Sequence, residues 1–366
     1  MRIVTVIGAR PQFIKAATIS RAIDNYNQVH PKENIEESIV HTGQHFDSNM
    51  SRIFFDQMRI PEPFCNLNIS NLSHGAMTGN MLEQIEKILL KKKPDLVLVY
   101  GDTNSTLAGA LAAKKLHIKL AHVEAGLRSF NMNMPEEINR ILTDRISDYL
   151  FCPTLQAVSN LEKEGYENFG SRIFNSGDVM FDAVCYYQQF ATPPQVLNQN
   201  RNTLAHGFIL ATIHRAENTD IPQKMATIFE SLNQISYEIP VIFPVHPRTR
   251  QIINNLKLET KSNALFLIDP VGYFEIMSLL DKCSLVMTDS GGMQKEAYFF
   301  KKPCLTLREQ TEWVELLDAG VNQLVTIDRG SIISHFKQMI NSELDFSDNL
   351  YGNGSASIDI LTNLLA

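Results

Sequence analysis

The sequence predicts an α/β protein made of two doubly wound, Rossmann-like domains facing each other across a cleft, and three observations lead there. Short Val/Ile/Leu-rich runs bounded by Gly, Pro, Asp or Asn recur along the whole chain. Longer stretches with helical spacing of apolar residues separate them. The length of 366 residues fits about two domains at roughly 150 residues each. Apolar strands alternating with amphipathic helices pack as parallel sheets covered on both faces.

Taken in order, strands are expected at 2–7, 37–41, 95–100, 119–123, 149–152 and 173–175, then at 207–213, 239–244, 264–268, 284–288 and 303–306. The clearest helix carries Met81, Leu82, Ile85, Ile88 and Leu89 on one face. It closes on Lys91, Lys92 and Lys93, cations suited to a helix C-terminus. Residues 191–206 are rich in Pro and Asn and lack periodicity, so they read as a linker. The expected division is a first domain at 1–190, a second at 207–353, and a helix at 354–366 that crosses back onto the first. In doubly wound sheets ligands bind outside the carboxyl ends of the strands.

Composition excludes several functions. Hydrophobic residues make up 44%, too many for a disordered chain. With 33 Lys+Arg against 40 Asp+Glu the formal charge is −7, a poor basis for binding nucleic acid or a membrane surface. Cys65, Cys152, Cys185, Cys283 and Cys304 are odd in number and scattered. They suggest neither a disulfide framework nor a metal site, and buried reduced thiols are the simplest reading. No apolar run approaches the roughly 18 residues of a membrane span. The N-terminal apolar run is too short for a secretory signal, so a cytoplasmic protein is expected.

The residues that carry chemistry sit after the strands. Gly8-Ala9-Arg10-Pro11-Gln12-Phe13-Ile14-Lys15 succeeds the first strand; Pro11 suits a first helical turn, and Arg10 and Lys15 would flank a helix N-terminus, a natural anion site. Asp102 comes after the strand 95–100, and His122-Val123-Glu124 closes the next one, so two acids and a His emerge at one sheet edge. Glu136 and Arg140 are four apart on a helix and share a face. Acids converging on one site repel, which favours a raised pKa and general acid–base work. In the second half, His214 and Arg215 come after one strand and His246 after the next. Thr288-Asp289-Ser290-Gly291-Gly292-Met293-Gln294-Lys295-Glu296 is the strongest string. A Ser-Gly-Gly between strand and helix lets backbone N–H groups approach a phosphate, and Glu296 is placed for ribose hydroxyls. With no Gly-x-Gly-x-x-Gly and no Walker string, nicotinamide and P-loop chemistry are not indicated.

The strings GARPQFIK, YGDTNSTLAG, HVEAGLRS, MPEEINR, IHRAEN, PVHPRT, DPVGY and TDSGGMQKEA, in this order, resemble the non-hydrolysing UDP-N-acetylglucosamine 2-epimerase family over nearly the whole chain. The resemblance implies a GT-B type fold, a homodimer, and inversion at C2 of a UDP-linked N-acetylhexosamine with no metal and no other cofactor. It implies Asp102, Glu124 and Glu136 as acid–base groups, with His214 assisting. It also implies Arg10, Lys15, Arg140, Arg215, His246, Ser290, Gly291, Gly292 and Glu296 as substrate-binding residues. Three places depart from the common pattern: Gln12 stands for a Glu, Thr311-Glu312-Trp313-Val314-Glu315 stands for Thr-Glu-Arg-Pro-Glu, and His41–Met50 differs from members that bind a second UDP-sugar. These variants resemble a subgroup acting on UDP-2,3-diacetamido-2,3-dideoxy-glucuronate in O-antigen synthesis. The rival readings are that uronate, a hydrolysing relative that releases UDP, a glycosyltransferase, and a nucleotide-sugar sensor without turnover.

Overall fold

Each apolar run expected as a strand forms one, displaced by at most two residues at either end, and every pairing is parallel. The computed structural model describes residues 1–44 and 61–366, without the side chain of Arg10; of the divergent segment 41–50, His45–Met50 lies outside them. The chain divides into two compact units, one of Met1–Cys185 with Asn349–Ala366, the other of Tyr186–Asp348.

In the first unit the strands are β1 (Arg2–Ile7), β2 (Glu36–His41), β3 (Cys65–Asn66), β4 (Leu96–Tyr100), β5 (Lys119–Val123), β6 (Tyr149–Cys152) and β7 (Arg172–Asn175). Their order is β3-β2-β1-β4-β5-β6-β7. The order reverses between β1 and β4, so the helices after these two strands leave on opposite faces and open a crevice at the carboxyl ends. The Leu-Val-Leu-Val-Tyr of β4 is buried throughout, as a central parallel strand requires. Helix His74–Lys92 buries Met81, Ile85 and Leu89 and ends on Lys93 at φ +48°. Lys92 turns aside to donate to Ser38 Oγ at 3.1 Å and lies over the Phe64 ring. Helix Ala356–Leu365 belongs to this unit. The Asp182 carboxylate holds its start, accepting from Ala356 N at 3.0 Å and from Ser357 N at 2.7 Å.

In the second unit β8 (Ile209–Thr212), β9 (Val241–Pro244), β10 (Leu265–Ile268), β11 (Leu285–Thr288), β12 (Cys304–Thr306) and β13 (Asn322–Leu324) take the order β10-β9-β8-β11-β12-β13, with the reversal between β8 and β11. One face of this sheet packs Ile228, Phe229, Leu232 and Phe336. The other packs Val196, Leu197, Leu204 and Leu279.

That second cluster corrects the expected linker. Residues 191–206 include the helices Gln195–Gln199 and Arg201–Leu204 and form the entry into the second unit, because their few apolar side chains are buried in its core. The return crossing comes earlier than 353: Tyr351 is buried in the first unit and its carbonyl accepts from Asp178 N at 3.0 Å. The thiols also differ from expectation. Cys152, Cys283 and Cys304 are buried, Cys65 is half-buried, and Cys185 is exposed. Burial pushes the Cys283 and Cys304 thiols up to about 12. Among the described residues no helix is long and apolar enough to cross a membrane.

Candidate active site

In the first unit the candidate residues stand at the carboxyl ends of β1, β4 and β5. Helix Arg10–Val29 starts directly after β1, with Pro11 in its first turn. Gln12 fastens this turn to the next strand. Its Oε1 accepts from Gly8 N at 2.8 Å and Ala9 N at 2.9 Å, while its Nε2 donates to Tyr100 O at 2.7 Å and to Thr106 Oγ1 at 3.0 Å. An amide can do both and a carboxylate only accepts, so the departure at this position has a local use. One turn on, Lys15 is buried and its Nζ pairs with Glu124 Oε2.

Glu124 itself is in the left-handed region, at φ +71°, a position rare for a side chain of this size and frequently associated with function. Gly101, at φ +60°, stands close to this pair: a Cβ there would lie 3.1 Å from Glu124 Oε2 and 3.5 Å from Lys15 Nζ. The adjacent Asp102, one-third exposed, receives Arg140 Nη2 at 2.7 Å and Nε at 3.1 Å. Asn139 Nδ2 holds the Asp102 carbonyl at 2.9 Å.

The helix Pro135–Ile146 places its acids differently from the expected pairing. Arg140 turns inward and joins Glu137, three residues back, at 2.5 Å. Glu136 is exposed and makes no ion pair among the described residues. The repulsion expected among converging acids is met by cations, Arg140 on Asp102 and Lys15 on Glu124.

Beneath these groups lies a buried network. His122 bridges Asp144 Oδ1 at 2.6 Å and Gly101 O at 2.7 Å. Asp144 also accepts from Arg128 at 2.7 Å and from Gly126 N at 3.1 Å, and Arg128 reaches Glu164 at 2.7 Å. Burial pushes the Asp144 carboxyl up, but His122 and Arg128 outweigh it and hold it below the usual carboxylate range.

The second unit builds on β8 and β11. Asp289 is fully buried and accepts from His214 N at 3.1 Å, Arg215 N at 3.1 Å and Asn218 Nδ2 at 3.1 Å. It thereby fixes the turn that presents His214 and Arg215. His214 is half-exposed, with Nδ1 3.5 Å from Asp289. Partial burial lowers its pKa, Asp289 opposes this, and Arg215 and His246 lower it further. His246 caps helix Pro247–Asn255 by accepting from Arg248 N at 3.3 Å, a structural use that engages its Nδ1.

Ser290 is the N-cap of helix Gly291–Phe299, its hydroxyl accepting from Met293 N. Among the described residues nothing accepts from Gly291 N or Gly292 N, so two backbone donors stand at the positive end of the helix. Glu296 lies on the same helix, half-buried. The divergent string 311–315 is tied down locally: Glu312 pairs with Arg308 at 3.2 Å, and Lys295 Nζ lies 4.1 Å from the centroid of the buried Trp313 ring.

Of the residues singled out in the sequence, the structure joins Lys15 to Glu124 and Asp102 to Arg140, and sets His214 and Arg215 on the Asp289 peg. Glu137, Asp144 and Arg128 enter as residues the motifs did not distinguish. Glu137 and Asp144 are acids within the helix Pro135–Ile146, and Arg128 lies in the irregular segment between β5 and that helix, so no spacing marks any of them. Among the described residues no group of three or more His, Cys, Asp and Glu side chains is placed to hold a metal ion. The arrangement offers carboxylates clamped by cations in one unit and anion-directed N–H groups in the other.

Comparison with known proteins points to a single family. A family model described as UDP-N-acetylglucosamine 2-epimerase matches residues 27–365. A Pseudomonas aeruginosa protein named UDP-2,3-diacetamido-2,3-dideoxy-D-glucuronate 2-epimerase is 54% identical over 358 residues, covering 98% of this chain and 97% of that one. A UDP-N-acetylglucosamine 2-epimerase of Methanocaldococcus jannaschii is 43% identical over 363 residues, covering 97% and 96%. The crystal structure of the M. jannaschii UDP-GlcNAc 2-epimerase in complex with UDP-GlcNAc and UDP matches with a TM-score of 0.87 at 42% identity, covering 100% of this chain and 99% of that one.

Proposed function

The chain belongs to the UDP-N-acetylglucosamine 2-epimerase family, and from that premise we propose that it interconverts UDP-N-acetylglucosamine and UDP-N-acetylmannosamine without hydrolysis. It is an isomerase with a GT-B type fold of two Rossmann-like units. The observation that carries the reading is the pairing of each strand-end acid in the first unit with its own cation, Glu124 with Lys15 and Asp102 with Arg140.

The reaction is built from those groups. A carboxylate among Asp102, Glu124 and Glu136 takes the C2 proton. The C2–H electron pair forms the C1=C2 double bond, and the C1–O pair leaves with the UDP diphosphate. Lys15 and Arg140 hold Glu124 and Asp102 in place as charge moves. The leaving diphosphate goes to the Ser290-Gly291-Gly292 donors, assisted by Arg215, His214 and His246, and Arg10 serves as a further substrate-binding cation. Glu296 takes the ribose. The 2-acetamidoglucal then accepts UDP at C1 and a proton on the other face of C2, which balances the reaction with no redox partner.

A second reading is favoured by the relative at 54% identity and by Gln12 and Trp313. It assigns the same inversion to UDP-2,3-diacetamido-2,3-dideoxy-glucuronate, for O-antigen synthesis. On family resemblance we also assign a cytoplasmic homodimer. Proton NMR in D₂O tests the chemistry. UDP-N-acetylmannosamine carrying deuterium at C2 supports the first reading. UDP with a free sugar would replace it with hydrolysis. No change with UDP-N-acetylglucosamine but turnover of the uronate establishes the second. A protein inert on both refutes the epimerase reading.

A further inference from the structure

Glu137 has no part in the chemistry just described, yet it is the most heavily bonded acid beside it. It is fully buried. Its carboxylate accepts from Ser129 N at 2.9 Å, Phe130 N at 2.9 Å, Ser129 Oγ at 3.0 Å and Arg140 Nη1 at 2.5 Å. Burial pushes its carboxyl up, but the Ser129 and Phe130 amides and Arg140 outweigh that and hold it below the usual range. The rest of the Arg140 fork is taken by Asp102, through Nε and Nη2.

A guanidinium is planar and rigid. Fixing Nη1 on Glu137 fixes the plane in which the other two nitrogens meet Asp102. Glu137 and Arg140 are three apart on helix Pro135–Ile146, so both ends of the clamp ride on one element. The same carboxylate also ties down the turn at Phe130, a residue held at φ +56° and 76% exposed. A left-handed phenylalanine costs backbone energy and persists only where its surroundings enforce it.

We propose that Glu137 is a positioning residue: through the plane of the Arg140 guanidinium it sets the orientation of the Asp102 carboxylate toward the substrate. The inference rests on the reading of Asp102 as a group that works at the sugar. A merely structural role would make Glu137 a loop anchor, and the two roles respond differently when each half of its contacts is broken.

The test compares wild type, Glu137→Gln, Arg140→Lys, the double variant and Ser129→Ala, all as full-length protein. Epimerisation and C2 deuterium wash-in are tracked by NMR, and UDP binding by calorimetry. Glutamine keeps an acceptor for the Ser129 and Phe130 amides and removes the charge facing Nη1. The expected result is a kcat lowered about 10- to 100-fold, the scale of a reacting group misplaced by an ångström, with the UDP Kd within about threefold. The double variant should be no slower than its worse parent, because both act on one contact chain. Ser129→Ala should stay within about twofold of wild type, since it loosens the turn and leaves the guanidinium clamped.

The inference is overturned by a Glu137→Gln enzyme that keeps its kcat, by losses that multiply in the double variant, or by a Ser129→Ala loss equal to that of Glu137→Gln. Should Glu137→Gln fail to fold, Glu137→Asp carries the same requirement of non-additivity with Arg140→Lys. Wild-type turnover is the separate control for the epimerase reading, so the two cannot fail in the same way.

Discussion

Replacing Asp289 by Asn should loosen the second unit and weaken UDP binding together. Asp289 is fully buried, and its two oxygens serve three donors at 3.1 Å: His214 N, Arg215 N and Asn218 Nδ2. All three belong to the segment between β8 and helix Pro222–Ile235. Asparagine keeps one acceptor oxygen and turns an NH₂ group toward the donors left over. One or two buried donors then go unmet, at about 1–3 kcal/mol each, so a loss of roughly 2–4 kcal/mol is expected. For a unit of this size that lowers Tm by about 5–12 °C. The bond from Asp289 N to Thr212 O, at 3.2 Å, survives the substitution, so the strand pairing itself should hold. Calorimetry with and without UDP reads both effects. The UDP Kd should rise by about tenfold, near 1.4 kcal/mol, as the His214–Arg215 turn loses its peg. A Tm shifted by less than about 2 °C from wild type, on the order of 0.5 kcal/mol, with unchanged UDP affinity would refute the assignment of Asp289 as the residue that fixes this turn.

Gly126→Ala should destabilise the first unit more than Gly170→Ala. Both glycines are left-handed, at φ +78° and +74°, and share a backbone cost of about 1–2 kcal/mol. Only at Gly126 would the new methyl meet an obstacle, 2.4 Å from Ala157 O, whereas Gly170 faces open space; equal Tm shifts in thermal denaturation would contradict this. The lowered pKa of His214 predicts a pH dependence. The unfolded chain takes its proton near the ordinary value of 6.5, while the folded ring resists it. Its stability contribution is therefore complete above 6.5 and is lost as pH falls from there through the lower folded value. Tm measured from about pH 7 downward should fall less steeply in His214→Gln, and identical slopes would rule His214 out as the source.

Strand runs were legible because a buried parallel strand is apolar throughout, as in Leu96–Tyr100. The short edge strands Cys65–Asn66 and Asn322–Leu324 were not, since two or three residues carry no period. The linker reading failed for a related reason: Pro and Asn dominate 191–206, and nothing local marks Val196, Leu197 and Leu204 as core residues. In the site, strand-end acids and the Ser-Gly-Gly turn were legible because chain position alone puts them at the carboxyl edge. The partner of Arg140 was not. Helical spacing allows Glu136 at i−4 and Glu137 at i−3 equally, and the choice was made by Asp102, a residue far along the chain that draws the guanidinium inward.

Partners distant in the chain also build the network beneath the site. Asp144, His122 and Arg128 are buried together, and such charges cost desolvation that their attraction only partly returns. Their contacts indicate what the arrangement secures. Asp144 takes the Gly126 amide, and His122 takes the Gly101 carbonyl. These two glycines flank the acids: Gly101 precedes Asp102, and Gly126 lies two residues after Glu124. Both are left-handed, as is Glu124. The network thus grips the backbone at Gly101, beside Asp102, and at Gly126, close to the left-handed Glu124, without placing a side chain of its own among those proposed for the chemistry. A strained conformation holds only if its neighbours over-determine it. Removing Asp144 would therefore leave His122 and Arg128 as buried groups stripped of their shared acid, and the damage should register first as lost stability of the first unit, with lost turnover as its consequence.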